Sequence, residues 1–371
     1  MGFEPYYDVI VVGARVAGSV LAILLSQQGR RVLLLDRARF PSDTLSTHFF
    51  RAPALRAFEQ AGVLQQVLEV APKLTVNYNV IDGVAFPEPV DRPEDYPFYL
   101  CVRRITLDGM LTTKVREMKS IDFRENSKAD NLVYEDGRVE GISWQSGGNH
   151  YQARAKVVVG ADGKQSSVAK WVNPAVEQEE PVNRAMYYAY YRGITPNEGP
   201  AAEFHFRGDN LVYCFPCDGD LALLAASVHI SRFDEFKSDP EGRLEQELHS
   251  MTELTGRLAK ATRQGPVRGT GSIPGYLRVP YGNGWALVGD AAMVMDPFSG
   301  QGIDQATTHA QFLAGELEEF LSGRKDWETA MQSYHRARNE FSLKTFNRTC
   351  TNSRDLRPMT RAALQTRGIA H

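Results

Sequence analysis

Glycines and carboxylates that follow short apolar runs are the residues of this sequence best suited to chemistry. Gly13 and Gly18 frame a turn after the run Asp-Val-Ile-Val-Val, and Asp36 ends a second apolar run 18 residues after Gly18. A glycine turn that opens a helix places free N–H groups and the positive end of the helix dipole against a pyrophosphate. A carboxylate about 20 residues further on accepts hydrogen bonds from a ribose. The pattern predicts a nucleotide site at Gly13, Arg15, Val16, Ala17, Gly18 and Asp36.

A βαβ unit must position this turn. The runs at 8–12 and 32–35 are short, apolar and rich in β-branched residues or leucine, which is typical of strands buried in a parallel sheet. The residues between them have helical spacing that ends at Gly29. Arg15 occupies the position of the middle glycine, so we expect a looser backbone approach to the phosphates or an Arg15 side chain that points away. The alternative is a turn that only packs a helix against a strand.

Two further apolar runs end in a carboxylate. The run at 157–159 leads into Asp162-Gly163, and the run at 285–288 leads into Gly289-Asp290. A glycine-rich segment at 296–302 then precedes a long helix, because apolar residues recur there every three or four positions.

These three turns, in this order, resemble the FAD-dependent oxidoreductases of the para-hydroxybenzoate hydroxylase type, the class A flavoprotein monooxygenases. That superfamily includes geranylgeranyl-reductase-like proteins and flavin-dependent halogenases. The resemblance implies an α/β fold: a Rossmann-like FAD-binding domain with a parallel sheet and a β-meander, an antiparallel-sheet substrate domain and C-terminal helices. The implied boundaries are 1–75, 100–175 and 281–325 for the FAD-binding domain, 76–99 and 176–280 for the substrate domain, and 326–371 for the C-terminal helical segment.

The resemblance also implies roles for single residues. The first turn would hold the ADP half of FAD, Asp162-Gly163 would touch both FAD and the nicotinamide of NADPH or NADH, and Asp290 would bind the ribityl chain. Ala169 stands where the family often has an arginine, so the docking of the nicotinamide stays open. Arg104 would reach the phosphates from the start of a helix, with a solvated charge as the alternative. The remaining implied cofactor residues are Arg37 near the adenosine, and Thr47, Pro297, Gly300, Gln301, Gly302 and Ile303 near the flavin ring.

Aromatic residues alternate with other types between 176 and 280, which predicts an antiparallel sheet over the flavin. Such a lining favours a hydrophobic or aromatic small-molecule substrate, although a plain sheet core would explain the same pattern. His48 and Tyr213 are the candidate catalytic side chains, since either could help to deprotonate a phenol. A histidine bonded to backbone is the alternative for His48. Cys214 and Cys217 are expected to be packed strand residues rather than a redox pair.

The function that the resemblance favours is an NAD(P)H-using monooxygenase, in which O2 and the flavin form a C4a-hydroperoxide that hydroxylates an aromatic or polyketide-like molecule. One alternative is a prenyl-chain reductase, whose Tyr-x-Trp-x-Phe-Pro signature survives only in part around Tyr213. A halogenase is less favoured, because no two tryptophans are paired and Lys73 stands alone. A non-catalytic nucleotide-binding protein would not need Gly289-Asp290.

Composition narrows the remaining classes. The formal charge of −3 gives no basic surface for a nucleic-acid partner. Four scattered cysteines are too few for a disulfide framework and form no metal-binding pattern with histidine. No apolar run reaches the roughly 18 residues of a transmembrane helix. We therefore predict a cytoplasmic protein without a metal or a transmembrane segment.

Overall fold

The computed structural model describes residues 6–90, 96–195, 197 and 199–369. Residues 91–95, 196 and 198 of the predicted substrate domain lie outside this part. So do residues 1–5 of the predicted 1–75 segment and residues 370–371 of the predicted 326–371 segment. The elements, in chain order, are β1 (Tyr7–Val12), α1 (Val16–Gln27), β2 (Val32–Leu35), β3 (Phe49–Phe50), α2 (Ala52–Gln60), α3 (Leu64–Val70), β4 (Val76–Ile81), β5 (Val84–Pro89), β6 (Leu100–Cys101), α4 (Arg104–Glu117), β7 (Ile121–Arg124), β8 (Lys128–Glu135), β9 (Arg138–Ser146), β10 (Asn149–Gly160), α5 (Ser167–Val172), β11 (Val176–Glu180), β12 (Arg184–Arg192), β13 (Ala201–Arg207), β14 (Asn210–Cys217), β15 (Leu221–His229), α6 (Phe233–Ser238), α7 (Pro240–Ser250), α8 (Thr252–Leu258), β16 (Thr262–Thr270), β17 (Gly275–Arg278), β18 (Tyr281–Gly282), β19 (Trp285–Leu287), β20 (Met293–Val294), α9 (Gly302–Leu321), α10 (Trp327–Arg354) and α11 (Arg357–Gln365).

A sheet with the path β18-β19-β10-β1-β2-β7 forms the centre of the cofactor domain, and its pairings are parallel except that of β18 with β19. Strand β1 lies between β2 and β10, with Val11 opposite Leu34 on one side and Val159 on the other. All three side chains are fully buried, as expected for a parallel strand covered on both faces. The carboxyl ends of β1, β2, β10 and β19 therefore meet at one edge, where such sheets bind ligands.

The predicted hairpin forms the first two strands of a β-meander. Strands β8 and β9 pair in antiparallel fashion around the turn at Asp136 and Gly137, both of which have positive φ, and β9 pairs with the first half of β10. The second half of β10 enters the parallel sheet and leads into Asp162.

The second large sheet has the order β16-β12-β15-β14-β13-β4-β5. It joins strands from 76–89 to strands from 184–270, and all its pairings are antiparallel except that of β13 with β4. A smaller sheet pairs β11 and β17 with β20. Residue 176, a predicted boundary, is the first residue of this sheet, and residue 280 lies just after β17.

Helices cover the cofactor domain. Helix α1 packs against α9, and α9 packs against α2 and α10. Mixed α/β architecture with parallel and antiparallel sheets and C-terminal helices confirms the predicted fold class. Among the helices of the described residues, none combines the length and the apolar character that crossing a membrane requires.

Candidate cofactor and active site

A cavity of about 450 Å³ opens at the carboxyl edge of the parallel sheet. It brings together residues from all three predicted turns, although Gly13 and Asp290 are 277 positions apart in the chain. The predicted site residues that line it are Gly13, Arg15, Val16, Ala17, Asp36, Arg37, Thr47, Arg104, Asp162, Gly163, Asp290, Pro297, Gly302 and Ile303. Five predicted residues are not part of its lining: Gly18, His48, Tyr213, Gly300 and Gln301.

The first glycine turn needs its two outer glycines for different reasons. Gly13 has a φ of +104°, and a Cβ there would lie 2.4 Å from the carbonyl oxygen of Ala161. A Cβ at Gly18 would lie 1.8 Å from the Gly13 carbonyl oxygen, so Gly18 allows close packing rather than contact with a ligand. The backbone N–H groups of Val16 and Ala17 have no acceptor among the described residues. They form an anion-binding helix terminus.

Arg15 points away from this turn. Its Nη1 donates to Asp108 Oδ2 at 2.6 Å, and its Nη2 donates to Ser42 Oγ at 3.0 Å. Asp108 is fully buried and also accepts from Arg104, whose Nε lies 3.1 Å from Oδ1. Arg15 therefore ties the 42–43 loop to α4, and the helix N-terminus stays open. Of the two explanations expected for Arg15 at the middle glycine position, the structure shows the second, a side chain that points away.

Asp36 stabilises the turn as well as facing the cavity. Its Oδ2 accepts from the Ala14 N–H at 2.7 Å, and its Oδ1 accepts from the Ala38 N–H at 2.7 Å. Each carboxylate oxygen can accept a second hydrogen bond, which leaves capacity for ribose hydroxyls.

Tyr276, which the sequence did not single out, joins the second and third turns. Its hydroxyl lies 2.6 Å from the Asp290 carbonyl oxygen and 3.0 Å from that of Lys164. Asp290 lines the cavity, and desolvation by the surrounding protein raises the pKa of its carboxyl, while Arg104 and Lys164 oppose that shift. Asp162 accepts from the Ser167 N–H at 2.6 Å and caps the start of α5.

The start of α9 is held by a buried ion pair. Arg51 Nη1 lies 3.0 Å from Asp304 Oδ2 and 2.9 Å from the Gly300 carbonyl oxygen. Asp304 is fully buried, and its carboxylate is engaged by Arg51. The N–H groups of Gly302 and Ile303 have no acceptor among the described residues. Arg51 was not predicted, because nothing in its local sequence marks it. Asp296 lies just before this turn, where burial raises the pKa of its carboxyl to about 7.

His48 lies behind the cavity wall rather than in it. Its Nε2 is 2.5 Å from the Tyr190 hydroxyl, and Nδ1 has no partner among the described residues. Burial, together with the nearby guanidinium groups of Arg104 and Arg103, lowers the pKa of His48 to about 3. The imidazole is neutral at physiological pH and a weak base, which disfavours the predicted role of His48 in proton removal.

Tyr213 does not line the cavity either. It is fully buried, and its hydroxyl donates to the Phe298 carbonyl oxygen at 2.7 Å. Burial raises the pKa of Tyr213, so the phenol keeps its proton and braces the turn before α9. Cys214 and Cys217 are buried on β14, as expected for packed strand residues.

The aromatic residues of the substrate domain form a core. Phe49 stacks on Phe215 with ring centroids 4.7 Å apart, and Phe204 packs edge-on against both rings. Of the described residues between 176 and 280, only Met186 and Ile273 line the cavity. Of the two interpretations of the aromatic pattern, the sheet core accounts for most of it.

The residues of the cavity fit FAD. Free N–H groups at the starts of α1 and α9 suit a pyrophosphate and an electron-rich ring edge, and Asp36 and Asp290 suit hydroxyl groups. A Cβ added at Gly163 or Gly302 would meet no atom within 4 Å, so open space adjoins the backbone at both positions.

Comparisons with known proteins agree with this fit. Residues 6–208 match the model of the FAD binding domain family. The digeranylgeranylglycerophospholipid reductase of Methanocella arvoryzae is 28% identical over 84% of this chain and 77% of its own length. The 1H-pyrrole-2-carbonyl-[peptidyl-carrier protein] brominase of Pseudoalteromonas luteoviolacea is 22% identical over 88% of this chain and 81% of its own length.

Solved structures show the same fold. The myxobacterial chondrochloren halogenase aligns with a TM-score of 0.84 and 22% identity, over 92% of this chain and 81% of its own. A probable FAD-dependent monooxygenase from Pseudomonas aeruginosa aligns with a TM-score of 0.80 and 20% identity, over 94% of this chain and 97% of its own.

Proposed function

The chain belongs to the FAD binding domain family and is an FAD-dependent oxidoreductase, and from this premise we propose that it is an NAD(P)H-using monooxygenase. Its substrate is a hydrophobic or aromatic small molecule, and O2 is the co-substrate. When bound, FAD supplies electron transfer from NAD(P)H and the activation of O2. The protein has to hold the cofactor, orient the substrate and exclude water.

We assign the two halves of FAD to opposite ends of the cavity. The N–H groups of Val16 and Ala17, with the Arg104 guanidinium, suit the pyrophosphate, and Asp36 suits the adenosine ribose. Arg104 is 12% exposed and fixed by Asp108, so it offers a positioned positive charge. Asp290 suits the ribityl hydroxyls.

The flavin ring is assigned to the start of α9. Pro297, Gly302 and Ile303 line the cavity there, and the helix N-terminus carries a partial positive charge. That charge favours an electron-rich edge of the ring. The free space at Gly302 allows the ring to approach the backbone.

The apolar part of the cavity lining favours a hydrophobic substrate beside the cofactor. Phe49 packs with Phe204 and Phe215 of the second sheet in an aromatic core, and none of these three rings lines the cavity. The apolar residues that do line the cavity include Leu45, Met186, Ile273, Met293, Met295 and Ile303. Methionine side chains adapt to varied apolar ligands.

A prenyl-chain reductase is the second candidate. Similarity to the Methanocella arvoryzae reductase over 84% of this chain favours it. The apolar lining suits a prenyl group as well as an aromatic ring.

Halogenation is less favoured by the position of the isolated lysine. Lys73 Nζ lies 5.1 Å from the centroid of the Phe98 ring, and Lys73 is not among the cavity-lining residues.

One experiment separates these activities. The purified protein would be supplied with NADPH or NADH, and the oxidation of the nicotinamide and the uptake of O2 would be followed with a panel of phenols and of prenyl lipids. We expect phenol-stimulated oxidation with matching O2 uptake and a hydroxylated product. Anaerobic saturation of a prenyl chain, without any stimulation by phenols, would refute the monooxygenase and favour the reductase.

A further inference from the structure

Three polar side chains connect the C-terminal helices to the cavity wall. Gln305, in the first turn of α9, lines the cavity and is only 5% exposed. Its Oε1 accepts a hydrogen bond of 2.6 Å from the hydroxyl of Ser342 on α10. Ser342 Oγ in turn lies 2.8 Å from Nε2 of His309, one helical turn further along α9. Ser342 and His309 are fully buried, so this chain of hydrogen bonds lies out of contact with water.

The chain of hydrogen bonds has one direction. A serine hydroxyl carries a single proton, and that proton goes to the amide oxygen of Gln305. His309 Nε2 must therefore carry the proton that is donated to Ser342 Oγ. Burial lowers the pKa of His309 to about 3, so the ring is neutral and Nδ1 is an acceptor. Nδ1 has no partner in the described part of the chain, and an unpaired acceptor is better tolerated than an unpaired N–H.

The neutral His309 ring is consistent with the orientation of the Gln305 amide, in which Oε1 accepts from Ser342. Because Oε1 faces α10, the NH2 group faces the other way. The amide nitrogen has no acceptor among the described residues, and it is not fully buried. Its two N–H groups are therefore accessible from the cavity that Gln305 lines.

We propose that Gln305 donates a hydrogen bond to the edge of the bound flavin ring that becomes negative on reduction. Ser342 and His309 are positioning residues that hold the Gln305 amide in the donating orientation. The adjacent N–H groups of Gly302 and Ile303 face the same end of the cavity, so Gln305 adds a side-chain donor to the positive helix terminus. This inference rests on FAD occupying the cavity and is independent of the substrate that is oxidised or reduced.

The test measures cofactor binding by the full-length apoprotein. FAD would be removed and then titrated back in its oxidised form, and in its dithionite-reduced form under anaerobic conditions, into Gln305→Leu, Ser342→Ala and the double variant. Ser333→Ala is the matched control, because Ser333 is on the same helix and, among the described residues, its hydroxyl bonds only to the Thr329 carbonyl oxygen. Thermal unfolding of each apoprotein checks that the fold is intact.

We expect Gln305→Leu to weaken the binding of oxidised FAD by about 3- to 10-fold, and that of reduced FAD by more than about 10-fold. A hydrogen bond to a charged acceptor is stronger than one to a neutral acceptor. Ser342→Ala should shift both constants in the same direction, and the double variant should bind no more weakly than Gln305→Leu, since both changes remove one interaction. Ser333→Ala should match the wild type.

Two results would overturn the proposal. One is that Gln305→Leu changes the affinities for oxidised and reduced FAD by the same factor relative to wild type. That result would mean that Gln305 makes no additional bond to the reduced ring. The other is an additive loss in the double variant, which would mean that Ser342 acts on the fold rather than through Gln305. If Ser342→Ala fails to fold, Gln305→Leu alone still decides the donor role, because its side chain lines an open cavity.

Discussion

Replacing Asp108 with alanine should lower the free energy of unfolding by about 3 kcal/mol. Asp108 is the fully buried partner of two guanidinium groups, with Arg15 Nη1 at 2.6 Å and Arg104 Nη2 at 3.0 Å. The alanine variant leaves both cations without their carboxylate and releases the 42–43 loop from α4.

The magnitude follows from burial. Removing one partner of a buried ion pair typically destabilises a protein by about 3–5 kcal/mol. The side chains of Arg15 and Arg104 are 29% and 12% exposed, so water can partly solvate them after the substitution. We therefore expect the lower end of the range.

Urea unfolding of the apoprotein, followed by far-ultraviolet circular dichroism, measures this loss. Glu135→Ala is the control, because Glu135 pairs with Arg154 at the surface, where the two side chains are 51% and 47% exposed. We expect the control to unfold at nearly the same urea concentration as the wild type, because exposed ion pairs contribute little to stability. A loss below about 1 kcal/mol for Asp108→Ala would refute the view that this carboxylate anchors Arg15 and Arg104.

Three further predictions follow from single side chains. The folded-state pKa of His309 is about 3, below its ordinary value near 6.5, so folding stability should fall as the pH drops from about 6.5 toward 3. His309→Gln should reduce that slope by up to about 1.4 kcal/mol per pH unit in urea titrations at several pH values, and an unchanged slope would contradict the assignment. Gly13→Ala should lose FAD affinity and at least about 1–3 kcal/mol of stability, because its φ is +104° and the added Cβ meets the Ala161 carbonyl; a wild-type FAD titration would count against the turn. Lys73→Ala should retain NAD(P)H oxidation within about twofold, since Lys73 lies outside the cavity lining; loss of turnover would revive the halogenase alternative.

Local patterns in the sequence predict the cofactor domain well. The apolar runs become β1, β2, β10 and β19, and the turn at Gly13 precedes a helix as expected. Such segments are predictable because burial on both faces of a parallel sheet and glycine-dependent turns are local requirements. The resemblance to flavoproteins, which rests on those turns, is confirmed by the family match and by the shared fold.

Contacts between distant segments limit what sequence can predict. The partner of Arg15 is Asp108, 93 residues away, and the partner of Arg51 is Asp304, 253 residues away. No local pattern marks either pair. The aromatic runs of the substrate domain fit a lining and a core equally well, because alternation fixes which side chains share a face but not what covers that face.

The most direct test of an FAD site at the start of α9 compares two glycines of that helix. Neither Gly302 nor Gly315 would place an added Cβ within 4 Å of another atom, but Gly302 lines the cavity and Gly315 faces solvent. FAD would be titrated into apoprotein carrying Gly302→Leu or Gly315→Leu, with thermal unfolding of each apoprotein as the check on folding. We predict that Gly315→Leu binds FAD as tightly as the wild type. Gly302→Leu should bind FAD at least about 100-fold more weakly at an unchanged apoprotein melting temperature, because leucine would fill the space assigned to the ring. Wild-type FAD binding by a folded Gly302→Leu variant would contradict the site.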